Sequence, residues 1–117
     1  MEAVTREQLL KAGVDIEGAM ERFLGNEQLL LKFLKMFPND SSYELFKKSM
    51  KEKSYEEAFK ASHALKGLCG NLSLNRLYEV VSREVELLRN GSNQEAEKLV
   101  PDVVKEYEKV LEILENI

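Results

Sequence analysis

The sequence predicts an all-α fold, an antiparallel up-and-down four-helix bundle with one or two short helices in front of it. Apolar residues recur at helical spacings of about three and four along most of the 117-residue chain. No stretch alternates apolar and polar residues for long enough to read as a strand. Pro38, Pro101 and most of the six glycines fall where helices would break. A chain of this length suits one domain, residues 1–117, around a single apolar core.

The elements follow in order. Thr5 and Gln8 have capping-box spacing, which predicts a short first helix from Thr5 to near Gly13. A second follows Asp15 and runs to about Leu24, with Ile16, Met20, Phe23 and Leu24 on its apolar side and Gly25 as its stop. From Asn26 the pattern Leu30, Leu34, Phe37 resumes after "FPNDSS" as Tyr43, Leu45, Phe46 and Met50, so one long helix is expected with a kink or break at Pro38. Ser54, with Glu57 three residues on, is the expected N-cap of a helix reaching Asn71. Ser73 is the expected cap of the next, whose stripe is Leu77, Val80, Val81, Val85 and Leu88 and whose stop is Gly91. The last helix starts after Asn93 and carries Ala96, Leu99, Val100, Val103, Tyr107, Val110, Leu111, Leu114 and Ile117, with Pro101 kinking or restarting it.

Composition narrows the function classes. With 17 basic and 21 acidic residues the formal charge is −4, which argues against a nucleic-acid backbone or an anionic membrane as partner. Cys69 is the single cysteine, so no internal disulfide framework exists and a reducing, cytoplasmic setting is expected. The first residues lack the basic and apolar regions of a signal peptide, and no apolar run approaches a membrane span.

The chain has one histidine, in "ASHALKGLCGN". On a helical wheel of roughly 100° per residue, Ala58, Ala61, Leu65, Leu68 and Leu72 all lie within about 40° of the pole opposite His63. The core stripe therefore points away from the imidazole. Beside His63 lie Glu56, Phe59, Lys60, Lys66, Gly67 and Gly70. Glycine inside a helix costs about 1 kcal/mol relative to alanine, and two on one exposed face remove bulk without helping the fold. Lys66, one turn on, can reach an anion carried by the imidazole. A neutral imidazole nitrogen is a good nucleophile, so the set reads as an exposed nucleophile, a phosphate clamp and cleared ground. No metal site is expected: one histidine and one cysteine do not make a usual zinc site, and Cys69 points about 120° from His63.

The stretch "SHALKGLCGNLSLNRL" resembles the signature of histidine-containing phosphotransfer (HPt) domains, the carrier modules of two-component phosphorelays, and "GVDIEGAMERFLGNEQLLLKFLKMF" is similar to the lead-in of bacterial members. The resemblance implies a four-helix bundle in which His63 is phosphorylated, Lys66 steadies the phosphoryl group, and Gly67, with Gly70, gives a receiver domain room to dock. Two positions depart from the family pattern. Ser73 stands where many members have glycine. Val85 stands where members often place a glutamine or glutamate near the active imidazole, with Glu84 and Glu86 beside it.

The function expected is that of a phosphoryl carrier without kinase activity, passing the group between a histidine kinase or receiver-domain aspartate and another receiver aspartate. Its partners are then a response-regulator receiver and a histidine kinase. It needs no cofactor of its own, since the Mg²⁺ of the transfer belongs to the receiver. Phe59, with apolar residues of the preceding helix, and Lys60 are expected on the docking surface. The expected state is a monomer. The alternative is a helical module that docks on a receiver or kinase without carrying phosphate; the intact His63, Lys66 and Gly67 weigh against it. A small enzyme with His63 as general base lacks a second catalytic group.

Overall fold

The structure, a computed structural model, describes residues 1–117. Seven α-helices follow one another: α1 (Ala3–Lys11), α2 (Ile16–Arg22), α3 (Glu27–Met36), α4 (Ser42–Lys51), α5 (Tyr55–Asn71), α6 (Asn75–Arg89) and α7 (Asn93–Glu115). α4 packs on α5, α5 on α6 and α6 on α7, while α3 and α1 both reach α7 and close the bundle. The result is an all-α antiparallel bundle, 43 × 24 × 19 Å, with α1 and α2 as the short helices in front. No helix is long and apolar enough to cross a membrane.

The expected long third helix is broken rather than kinked. α3 ends at Met36, one 3-10 turn spans Phe37–Asn39, and Asp40 accepts a hydrogen bond from the Ser42 amide at 2.8 Å as α4 begins. Proline and the Asp40 turn together stop the helix that the apolar spacing would continue. α7, by contrast, runs through Pro101 without restarting. Twenty-seven apolar residues form one core, among them the predicted stripe of α6 and, from α7, Ala96, Val103, Tyr107, Val110 and Leu114, while Leu99, Val100, Leu111 and Ile117 pack half-buried against it.

The helix ends correct several local expectations. α1 starts at Ala3 with Glu2 at the N-cap, so Thr5 falls inside the helix and its capping box does not form. Asp15 does cap α2, accepting from the Gly18 amide at 3.1 Å. α2 stops at Arg22, and Leu24, at φ 54°, swings out to 94 % exposure instead of joining the apolar side. Ser54 occupies the N-cap position of α5 but its side chain caps nothing.

Ser73 carries the largest correction. It is not the cap of α6 but the residue that ends α5, in the left-handed region at φ 55°. Its amide donates to the Gly70 carbonyl and that of Leu74 to the Cys69 carbonyl, the paired bonds of a Schellman ending, with fully buried Leu74 as the apolar follower. Glycine takes that conformation without the Cβ penalty; serine takes it here at a cost.

Candidate functional site

The joint between α1 and α2 is fastened to the turn between α5 and α6. Val14 and Leu74 form an isolated antiparallel bridge, the Asp15 amide donates to the Ser73 carbonyl at 2.9 Å, and the Asn75 amide donates to the Gly13 carbonyl at 2.9 Å. Arg76 adds a hydrogen bond from its guanidinium to the Lys11 carbonyl at 3.0 Å. Val14 and Leu74 are both buried, so this small polar ladder sits over apolar packing that holds it closed. As a consequence α2 lies beside the C-terminal half of α5.

α5 presents two faces. Ala58, Ala61, Leu65 and Leu72 are buried in the core, as the wheel requires, with Leu68 half-buried at the edge and Cys69 buried as well. Cys69 is fully buried, and burial pushes its thiol far above the ordinary range, so it is chemically inert there. His63 stands exposed on the opposite face. Buried Ser62 satisfies its hydroxyl locally by donating to the Phe59 carbonyl at 3.1 Å.

A cleft of about 380 Å³ opens at His63. Its floor is His63, Lys66, Gly67 and Gly70 of α5; α6 contributes Asn75 and Tyr78, and α2 contributes Arg22, with Asn71 at the rim. No carboxylate lines it, although acidic residues outnumber basic ones in the chain. Neither Lys66 nor Arg22 takes part in any of the intramolecular ion pairs. The Lys66 ammonium lies 5.9 Å from the centre of the Tyr78 ring, a cation–π placement that keeps it over the cleft. Two cations outside any ion pair beside an exposed imidazole make a site suited to a group carrying negative charge.

The two glycines divide their work. A Cβ at Gly67 would meet nothing within 4 Å, so that glycine leaves open space beside His63. A Cβ at Gly70 would meet Cε2 of Tyr78 at 3.2 Å, so the second glycine makes room for the chain's own aromatic ring. Phe59 packs against the imidazole, centroids 5.9 Å apart, and is half-buried beneath the Arg89 guanidinium at 5.3 Å. Lys60 is turned away from the cleft toward Glu57 at 3.6 Å and Glu56 at 4.0 Å.

None of the three α6 residues considered near the imidazole engages it. Val85 is core, Glu86 pairs with Arg89 at 3.2 Å, and Glu84 is fully buried with no hydrogen-bond partner for either oxygen. The polar groups that α6 does bring to the cleft, Asn75 and Tyr78, lie nearer its N-terminus. Sequence reasoning missed these two and Arg22, because Asn75 and Tyr78 reach the cleft through the packing of α6 on α5 and Arg22 through the α1–α2 joint, not through the periodicity of any one helix.

Next to the cleft, and sharing Arg22 and Asn71 with it, an apolar groove of about 690 Å³ runs between α2, α3 and α5. Phe23, Phe33, Met36 and Leu68 line it, and Phe33 and Met36 are exposed.

A family model described as the Hpt domain matches residues 19–116. The chain belongs to the Hpt domain family. The match takes in the bundle and every residue of the cleft. Hpt domains are phosphoryl-carrying modules of two-component phosphorelays, distinct from kinases, and they interact with receiver domains and histidine kinases. Comparison with curated proteins and with solved structures finds no match. In this Hpt domain the match begins inside α2, so the α1–α2 joint that positions α2 beside the cleft lies just ahead of it.

Proposed function

We propose that His63 is the phosphoacceptor of this Hpt domain and that it relays a phosphoryl group between a receiver aspartate or histidine kinase and a second receiver aspartate. The observation that carries this reading is the cleft itself: an exposed imidazole flanked by two cations outside any ion pair and by the open space at Gly67.

In the transfer, the lone pair of an imidazole nitrogen attacks the phosphorus of an aspartyl phosphate. The P–N bond forms as the P–O bond to the aspartate breaks, and the freed carboxylate stays on the receiver. The reverse sequence discharges the carrier. Little covalent work falls to the carrier's other residues in such a reaction; positioning and charge neutralisation dominate. Lys66 neutralises part of the charge on the transferred group, and Tyr78 holds the ammonium in place. Gly67 lets the receiver's active site close over His63. The Mg²⁺ belongs to the receiver.

The apolar groove on α3 and α5 offers the receiver a larger contact than Phe59 does, since Phe33 and Met36 are exposed whereas Phe59 is covered by Arg89. Lys60, paired with its own helix, contributes charge at the rim of that contact at most.

Incubation with a phosphorylated receiver domain should place an acid-labile, alkali-stable label on the wild type and none on His63→Gln. Equal label on His63→Gln, or none on the wild type across a panel of receivers, would overturn the reading and leave docking without phosphate.

A further inference from the structure

We infer that Arg22, outside the histidine motif and on a different helix, is a second phosphoryl-binding cation of the site. The inference rests on His63 being the phosphoacceptor. It adds a positioning residue that the motif does not contain.

Three observations carry it. The first is placement: Asp15 is tied to the Ser73 carbonyl, and from that anchor the seven residues of α2 rise about 10 Å along the helix. Arg22, the last of them, lines the same cleft as His63 and Lys66. The second is availability. Arg22 is exposed and in no ion pair, whereas Arg76 and Arg89 are occupied by the Lys11 carbonyl and by Glu86. The third is geometry of approach. Lys66 is held on the Tyr78 side of the cleft, and Arg22 enters from α2, so the two cations come from separate walls.

The chemistry suits the residue. A guanidinium presents paired N–H donors that match two oxygens of a phosphoryl group, where an ammonium acts as a point charge. With Lys66 on one wall and Arg22 on the other, a phosphoryl group on His63 would meet cations from two directions. Arg22 forms and breaks no covalent bond; it donates hydrogen bonds to oxygens that stay on phosphorus throughout. The group is stabilised on the histidine relative to the receiver aspartate, so the equilibrium of transfer shifts toward the carrier. A residue that only helped docking would change forward and reverse rates together and leave that equilibrium alone.

The test compares wild type, Arg22→Gln and Arg22→Lys with one receiver domain that labels the wild type, measuring the transfer equilibrium and the unfolding midpoint. Arg22→Gln should lower the equilibrium constant for phosphorylated carrier about fivefold at low salt, the scale of one partly exposed charge-assisted contact, with Arg22→Lys recovering part and thermal unfolding unchanged. In the wild type, the Arg22 Nε–H resonance should also move when His63 is phosphorylated by phosphoramidate, which needs no partner protein. An unchanged equilibrium in Arg22→Gln, with both proteins labelled, would overturn the inference and spare the carrier reading, as would a change in rates alone. A wild type that takes no label from any receiver of a panel would overturn both.

Discussion

Replacing Glu84 with glutamine should remove a pH dependence of stability that the wild type carries in its core. Glu84 lies on the buried stripe of α6 between Val80, Val81 and Leu88, fully inaccessible to water, and neither carboxyl oxygen has a hydrogen-bond partner. Burial alone, with no neighbouring charge contributing, raises its pKa from 4.5 to about 8. Below the unfolded-state value both states hold the proton and the group adds no pH dependence. Between that value and about 8 the native state keeps a proton that the unfolded chain has released, so stability falls as pH rises, at about 1.4 kcal/mol per pH unit while the difference is complete. Above about 8 the folded carboxyl ionises too and the loss levels off. Relaxation and water entry reduce the total, so a loss on the order of 2–4 kcal/mol between about pH 5 and pH 8 is expected. Urea unfolding of both proteins across that range isolates the effect, because the other carboxylates are common to both. Glu84→Gln should match the wild type near pH 5 and exceed it increasingly toward pH 8. Parallel stability curves would refute the reasoning.

Three further substitutions test the geometry of α5. Gly67→Gln projects into open space, so it should leave stability unchanged or raise it by up to about 1 kcal/mol through helix propensity, while slowing phosphoryl transfer; unchanged transfer kinetics would show that the receiver does not need that space. Gly70→Ala meets the Tyr78 ring, so its gain in helix propensity should be larger in a Tyr78→Ala background than in the wild type, a coupling of about 0.5–1 kcal/mol in a double-mutant cycle; additivity would mean the ring moves aside freely. Ser73→Gly should stabilise the protein by about 0.5–1 kcal/mol, since it relieves the left-handed backbone and loses part of the gain to a more flexible unfolded chain. A destabilised Ser73→Gly in thermal unfolding would count against strain at that residue.

Much of the bundle was legible because amphipathic periodicity is a local property. The stripes of α6 and α7, the direction of His63 and the break at Pro38 all follow from spacing and from residues that end helices. The side-chain caps were less legible. Thr5, Ser54 and Ser73 each had the right residue type, yet none caps a helix: α1 starts before Thr5, Ser73 is taken up by the left-handed ending of α5, and Ser54 stands at the N-cap without a side-chain hydrogen bond. Glu84 shows the same limit from the other side. A charged residue between apolar neighbours reads as surface until the packing of α6 turns that face inward.

The sequence by itself determined the helices, the outward direction of His63, and the grouping of Lys66, Gly67 and Gly70 beside it, since residues three, four and seven apart on one helix share a face whatever the fold. Only the tertiary structure decided which of these residues clear space and which accommodate Tyr78, and that Arg22 joins them from 41 positions earlier in the chain. That union depends on the two backbone hydrogen bonds that bridge Val14 of the α1–α2 joint to Leu74 of the α5–α6 turn. Contacts between segments so distant in sequence leave no periodic trace, and they exist only once the core has brought the segments together.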